Sequence, residues 1–130
     1  MDIIGKYDAT SVEFTGTAGT LIFLARAIRE LVVRERFSLS IPSTPPVPHL
    51  GYLKSLELER SVGKVSVSRS GESVNVSGSA DCLALFAHNI EQLAYSESCP
   101  DHLHVEFHPQ HFYLNEESVP LVMTKCLAAE

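Results

Sequence analysis

The sequence predicts an α+β fold, an antiparallel sheet of about five to six strands with two helices packed on one face. Two kinds of spacing indicate this fold: several segments alternate apolar and polar residues as strands do, and two segments repeat apolar residues at helical spacing. Their order along the chain is β-α-β-β-β-α-β-β, and its simplest skeleton is a ferredoxin-like βαββαβ core. The 130 residues suffice for one domain, so residues 1–130 are predicted to form a single unit.

The first helix follows a short alternating strand over residues 11–16 that ends in a glycine turn. Thr17 is suited to cap the helix, because its hydroxyl can accept a backbone N–H of the first turn. The apolar stripe then runs along one side of the helix: Leu21, Leu24, Ala25, Ile28, Leu31 and Val32.

The same pattern returns later in the chain, where residues 74–78 alternate and Ser79 can cap a second helix. A shift that places Gly16 on Gly78 also aligns the two caps and the two stripes, which predicts a pseudo-twofold repeat of units 11–61 and 73–125. The second stripe has the same spacing as the first: Leu83, Phe86, Ala87, Ile90, Leu93 and Ala94.

The remaining segments complete the predicted sheet. Residues 37–41 indicate a short edge strand, and the proline-rich stretch 42–48 predicts an extended connection. Residues 55–59 and 64–68 alternate, and Ser70-Gly71-Glu72 predicts a hairpin turn into the strand at 73–77. A last strand is predicted around residues 119–124.

Residues 102–108 alternate strictly, so this segment is predicted to be a half-buried strand. Leu103, Val105 and Phe107 take inward positions of the sheet, together with eight residues of the other strands: Val12, Phe14, Leu56, Leu58, Val65, Val67, Val74 and Val76. The outward positions make an acidic, histidine-bearing face: Glu13, Thr15, Glu57, Glu59, Ser66, Ser68, Asn75, Ser77, His102, His104, Glu106 and His108. One open face is common in antiparallel sheets.

Bulk composition excludes several classes of function. The net charge of −6 argues against a nucleic-acid partner, which would need a basic surface. Three cysteines without Cys-x-x-Cys spacing fit reduced thiols in a cytoplasmic protein. The start of the chain lacks a signal-peptide pattern, and the longest apolar run is too short to span a bilayer, so neither export nor a membrane partner is expected.

The histidine segment raises the question of a metal site. Adjacent outward residues of a strand lie about 7 Å apart, so His102 and His104 could share an ion with a ligand from another strand. Further ligands are not evident, and a solvated strand face is the favoured interpretation, so no metal or cofactor is predicted. No nucleophile elbow or phosphate loop occurs, and Cys82 has only its place near a helix start, so the protein is predicted not to be an enzyme.

The aromatic turn at residues 109–114 offers a second feature. Aromatic side chains in a turn either pack back on the core or form a contact surface. Phe112 and Leu114 are predicted to pack back, whereas His111 and Tyr113 are predicted to be surface contacts.

These C-terminal residues support a family resemblance. The run His102-Leu103-His104-Val105-Glu106-Phe107, then His111-x-Tyr113-Leu114, then Ser118-Val119-Pro120-Leu121-Val122 resembles the C-terminal signature of Imm32-type immunity proteins of bacterial polymorphic toxin systems. The strand-Gly-Ser-helix unit at 74–93 is similar to the segment that precedes this signature, and the resemblance starts at about Lys64.

The resemblance implies a protein that binds a cognate toxin domain and neutralises it by blocking its active site or an essential surface. An acidic surface would suit a basic toxin, since charge complementarity raises association rates. Two alternatives are a metal- or small-ligand-binding domain that uses the histidine strand, and a self-associating module that forms a homodimer. The residues predicted to contact the partner are Glu57, Glu59, His104, Glu106, His108, His111 and Tyr113.

Overall fold

The structure is a computed structural model that describes residues 3–32, 35–41, 51–98 and 101–126. The predicted proline-rich connection at 42–48 lies outside the described residues. The elements, in chain order, are β1 (Ile3–Tyr7), β2 (Val12–Gly16), α1 (Ala18–Arg29) with a 3-10 turn (Glu30–Val32), β3 (Arg36–Ser40), β4 (Gly51–Tyr52), β5 (Ser55–Arg60), β6 (Ser66–Ser70), β7 (Ser73–Gly78), α2 (Ala80–Tyr95), β8 (Asp101–Val105) and β9 (Leu121–Lys125).

The strands form two sheets, of five and four strands, with the orders β4-β1-β2-β9-β8 and β3-β5-β7-β6. In each sheet one neighbouring pair is parallel: β2 with β9, and β5 with β7. The α+β class with two helices is confirmed, whereas the single, purely antiparallel sheet is wrong and the ferredoxin-like repeat is not confirmed. Alternation reports which face of a strand is buried but not which distant strand it pairs with, and both parallel pairs join segments far apart in the chain.

Both predicted helix caps are confirmed. Thr17 Oγ1 accepts a hydrogen bond from the Thr20 N–H at 3.3 Å, and Ser79 Oγ accepts one from the Cys82 N–H at 3.3 Å. The two helices pack against each other, and both apolar stripes are buried except for Val32, whose side chain is outside the described residues. None of the described helices is long and apolar enough to cross a membrane.

Most inward strand positions are buried as predicted, but the histidine strand is shorter than expected. Strand β8 ends at Val105, which pairs with Leu121 of β9. The next partners in register would be Pro120, which has no N–H, and Val119, whose N–H donates to the Val67 carbonyl instead. Leu103 lies within β8 and is half-buried, whereas Phe107, predicted to face inward, is exposed beyond the end of the strand.

Candidate protein-binding surface

The seven residues predicted to contact a partner do not share one sheet face. Glu57 and Glu59 lie on β5 of the four-stranded sheet, and His104 lies on β8 of the five-stranded sheet. The residues therefore come from two sheets and not from the single sheet that was predicted, and their contact with a partner stays a prediction.

The two glutamates on β5 are already engaged across the strand pair β3–β5. Arg36 Nη2 lies 3.1 Å from Glu59 Oε1, and Ser38 Oγ donates to Glu57 Oε1 at 2.8 Å. Each contact joins residues that face each other in the antiparallel register. Part of the negative charge predicted for an open face is therefore balanced within the sheet.

Four of the other five predicted contacts, Glu106, His108, His111 and Tyr113, lie in one segment, Glu106–Leu114, which we call the 106–114 loop. Glu106 and His108 are exposed there, and His111 is half-buried. The His108 and His111 rings lie 5.1 Å apart between centroids, and the His111 N–H donates to the His108 carbonyl at 2.9 Å. The loop thus carries four of the seven residues, and ring contacts join His108, His111 and Tyr113.

His111 holds the second half of this loop. Its Nδ1 accepts hydrogen bonds from the N–H groups of Leu114 at 3.1 Å and Tyr113 at 3.4 Å, which requires this nitrogen to be unprotonated. Burial, with smaller contributions from the charges of His108 and Lys64, lowers the pKa of His111 from its ordinary value of 6.5. The neutral imidazole that the hydrogen bonds require is therefore the favoured form.

Tyr113 and Leu114 attach the loop to the body of the protein. Tyr113 is only 5% exposed, and its hydroxyl accepts a hydrogen bond from Asn89 Nδ2 of α2 at 2.8 Å. Its carbonyl accepts the Val65 N–H at 2.6 Å, and Leu114 forms an isolated parallel bridge with Val65. Burial raises the pKa of the Tyr113 phenol above its usual 10.0, against the effect of the Asn89 hydrogen bond, so the hydroxyl stays neutral.

Phe112 projects from the loop between these attached residues. Its side chain is 88% exposed, whereas the next two side chains are buried. The predictions that Phe112 packs back and that Tyr113 is a surface contact are both wrong, while the packing of Leu114 is confirmed. Asn89 gives the Tyr113 hydroxyl a hydrogen-bond donor, so the Tyr113 side chain can be buried with its polar group satisfied, while the Phe112 ring is exposed.

A pocket of about 200 Å³ lies between the 106–114 loop and α2. Leu85, one helical turn before Asn89, adds an exposed apolar side chain to the same side of α2. The sequence analysis did not identify Leu85 or Asn89. The position of Leu85, off the predicted apolar stripe of α2, was the one sign that this apolar side chain would be exposed. The pocket is lined by Asn89, His108, Gln110, His111, Phe112 and Tyr113.

The negative charge of the protein is concentrated in the same part of the chain. Residues 73–126 contain seven Asp and Glu residues and one basic residue, Lys125, whereas the rest of the chain has nine of each sign. Lys125 is 5% exposed, and its ammonium donates to the Ser96 carbonyl. This part of the chain therefore has no exposed Lys or Arg among its described residues.

Metal-ligating geometry is not found among the described residues, where no group of three or more His, Cys, Asp or Glu could hold an ion. His102 and His104 are neighbours, with ring centroids 6.3 Å apart, but His102 Nδ1 lies 2.9 Å from the Thr124 hydroxyl. Cys82 and Cys126 are free thiols. The pocket between the loop and α2 is lined in part by the aromatic side chains of Phe112 and Tyr113, and aromatic residues are enriched at protein interfaces.

The fold and this surface define an α+β chain whose C-terminal half carries an acidic surface with a projecting aromatic ring. The family model described as Immunity protein 32 (Imm32) matches residues 73–126, which confirms the resemblance to Imm32-type immunity proteins over that segment. The matched segment begins at β7 and contains α2, β8, the 106–114 loop and β9. Neither the comparison with curated proteins nor the comparison with solved structures gave a match.

Proposed function

We propose that this chain is an immunity protein that binds a cognate toxin domain and neutralises it by covering the toxin's active site or another essential surface. The observation that carries the proposal is the match of residues 73–126 to the immunity protein 32 family. The protein would act by binding, without catalysis of its own, in the cytoplasm of the cell it protects.

The character of the surface supports this proposal. Binding a folded partner needs a preformed patch with aromatic anchors and complementary charge, and the matched segment carries both kinds of group. Among the seven residues first predicted to contact the partner, Glu106, His108 and His111 are accessible on one loop, and His104 is exposed on β8. Glu57, Glu59 and Tyr113 have partners within the protein, and we assign them a smaller share of the contact.

The proposal is tested with the toxin domain encoded at the same locus as this chain. We expect that expression of that domain arrests bacterial growth, that co-expression of this chain restores it, and that the two purified proteins form a stable complex. Failure of both rescue and complex formation would contradict the function.

The same preparation distinguishes the two alternatives. A metal-binding role would leave stoichiometric metal in the purified protein and make its complex sensitive to a chelator. A self-associating module would sediment as a dimer without the toxin domain. We expect neither of these results.

A further inference from the structure

Phe112 is exposed although the loop around it is held in place on both sides. On one side, His111 Nδ1 accepts hydrogen bonds from two backbone N–H groups, and the His111 carbonyl accepts one from Lys64 Nζ at 3.3 Å. On the other side, Tyr113 is bonded to Asn89 and to Val65. A large aromatic ring presented in this way loses little conformational entropy when a partner covers it.

The surroundings of Phe112 extend this anchor into a patch. The pocket beside it is bounded by the His108 and His111 rings and by Asn89, and Leu85 continues the apolar surface along α2. We define the Phe112 patch as Leu85, Asn89, His108, His111 and Phe112.

Charge indicates what kind of protein covers this patch. Residues 73–126, which form the patch, carry a formal charge of −6, and their one basic side chain, Lys125, is buried. Lys64, from outside that segment, adds one positive charge beside the patch through its hydrogen bond to the His111 carbonyl, so the surroundings are acidic in net charge only. A second copy of the chain would bring like charge against like charge, whereas a basic partner would gain attraction and faster encounter.

We propose that the Phe112 patch is the docking surface for the partner, that Phe112 is its central anchor, and that the partner presents an apolar pocket for this ring with basic side chains around it. This inference rests on the proposed function and deepens it by naming the surface and the chemistry of the toxin that meets it.

The anchor is tested with the full-length chain and a catalytically disabled form of the toxin domain encoded at the same locus. Phe112→Ala is compared with Phe23→Ala, which removes another exposed phenylalanine, 48% exposed on α1 and outside the patch. We expect Phe112→Ala to raise Kd about thirtyfold or more and Phe23→Ala to change it less than about threefold. Unchanged thermal unfolding of both variants shows that the fold is intact.

The charge of the partner is tested with two neutralising variants of equal net charge. Glu106→Gln removes a carboxylate from the 106–114 loop, and Glu59→Gln removes one that already pairs with Arg36 on the other sheet. At low salt we expect Glu106→Gln to slow association about twofold or more, and Glu59→Gln to slow it less. Equal association rates for the two variants would overturn the inference that the partner is basic.

The outcomes separate this inference from the proposed function. If the wild-type chain binds and protects while Phe112→Ala binds as tightly as Phe23→Ala, the docking surface is overturned and the immunity function stands. If the wild-type chain neither binds nor protects, both proposals are overturned. A dimer of the free chain that Phe112→Ala dissociates would assign the patch to self-association and would likewise overturn the inference.

Discussion

Arg29 and Glu91 form an ion pair across the contact between α1 and α2, and they stand 62 positions apart in the chain. The same offset relates the two helix caps, Thr17 and Ser79. The helices therefore meet at positions that the proposed repeat makes equivalent. This relationship favours a pseudo-twofold origin for the units 11–61 and 73–125, which stays a prediction.

The Arg29–Glu91 pair should contribute a modest coupling to stability. Both side chains are partly exposed, so solvent screens the attraction. In a double-mutant cycle with Arg29→Ala and Glu91→Ala, we expect a coupling free energy of about 0.5 kcal/mol from urea unfolding. The coupling should shrink in 1 M salt, and a coupling that is zero or independent of salt would contradict an electrostatic link between the helices.

The hydrogen bonds at His111 predict a pH-dependent stability. Because the folded state lowers the pKa of His111 from 6.5, its contribution is fully present above pH 6.5 and is lost as pH falls through the lower folded value. We expect the urea midpoint of the wild-type chain to fall more between pH 7.5 and pH 5 than that of His111→Asn, since asparagine can accept locally but does not titrate.

A matched variant isolates the cause of that pH effect. His88 is exposed on α2, so His88→Asn should keep the wild-type pH dependence. The hydrogen-bonding role of His111 would be wrong if His111→Asn and His88→Asn had the same dependence.

Gly78 lies against the backbone of Val65, the residue whose N–H bonds to the 106–114 loop, so a side chain at position 78 should destabilise the fold. A Cβ at this position would lie 3.0 Å from Val65 Cα and 3.2 Å from Val65 N, and backbone atoms cannot move away as a flexible side chain would. We expect Gly78→Ala to reduce the free energy of unfolding by about 1–3 kcal/mol. The displacement would also disturb the Val65 N–H bond to the Tyr113 carbonyl, so faster amide exchange is expected in the 106–114 loop.

Gly19 provides the control for this substitution. It is exposed near the start of α1, and a Cβ there would meet no atom closer than 4.0 Å. Gly19→Ala should therefore leave stability unchanged or raise it by about 0.5 kcal/mol through helix propensity. A Gly78→Ala variant as stable as Gly19→Ala would contradict the close contact with Val65.

Several features of the fold could be predicted from the sequence because they depend on neighbours in the chain. The caps Thr17 and Ser79 accept hydrogen bonds from residues three positions later, and the turn at Gly71 has the positive φ of +60° that favours glycine. The C-terminal resemblance also depended on a local run of residues, and it was confirmed over 73–126.

The candidate surface was predicted only in part. Glu106, His108 and His111 were identified from the histidine segment and do lie together on one loop. Phe112, Leu85 and Asn89 were missed, because their arrangement depends on how the loop meets α2. Tyr113 and not Phe112 is buried, and its contacts come from distant parts of the chain: its hydroxyl accepts a hydrogen bond from Asn89, 24 positions away, and its ring lies 6.1 Å from that of Phe86.

The sequence by itself determined where the two helices start, which of their residues are buried and the family resemblance, since capping, period and motif are properties of short segments. Only the tertiary structure decided that the strands form two mixed sheets, that β8 stops at Val105, and that Phe112 projects to solvent. The physical reason is that these outcomes depend on pairings between distant residues. Val119 bonds to Val67, so the residues after Val105 do not continue the pairing of β8 with β9, and Tyr113 bonds to Asn89 while Phe112 is exposed.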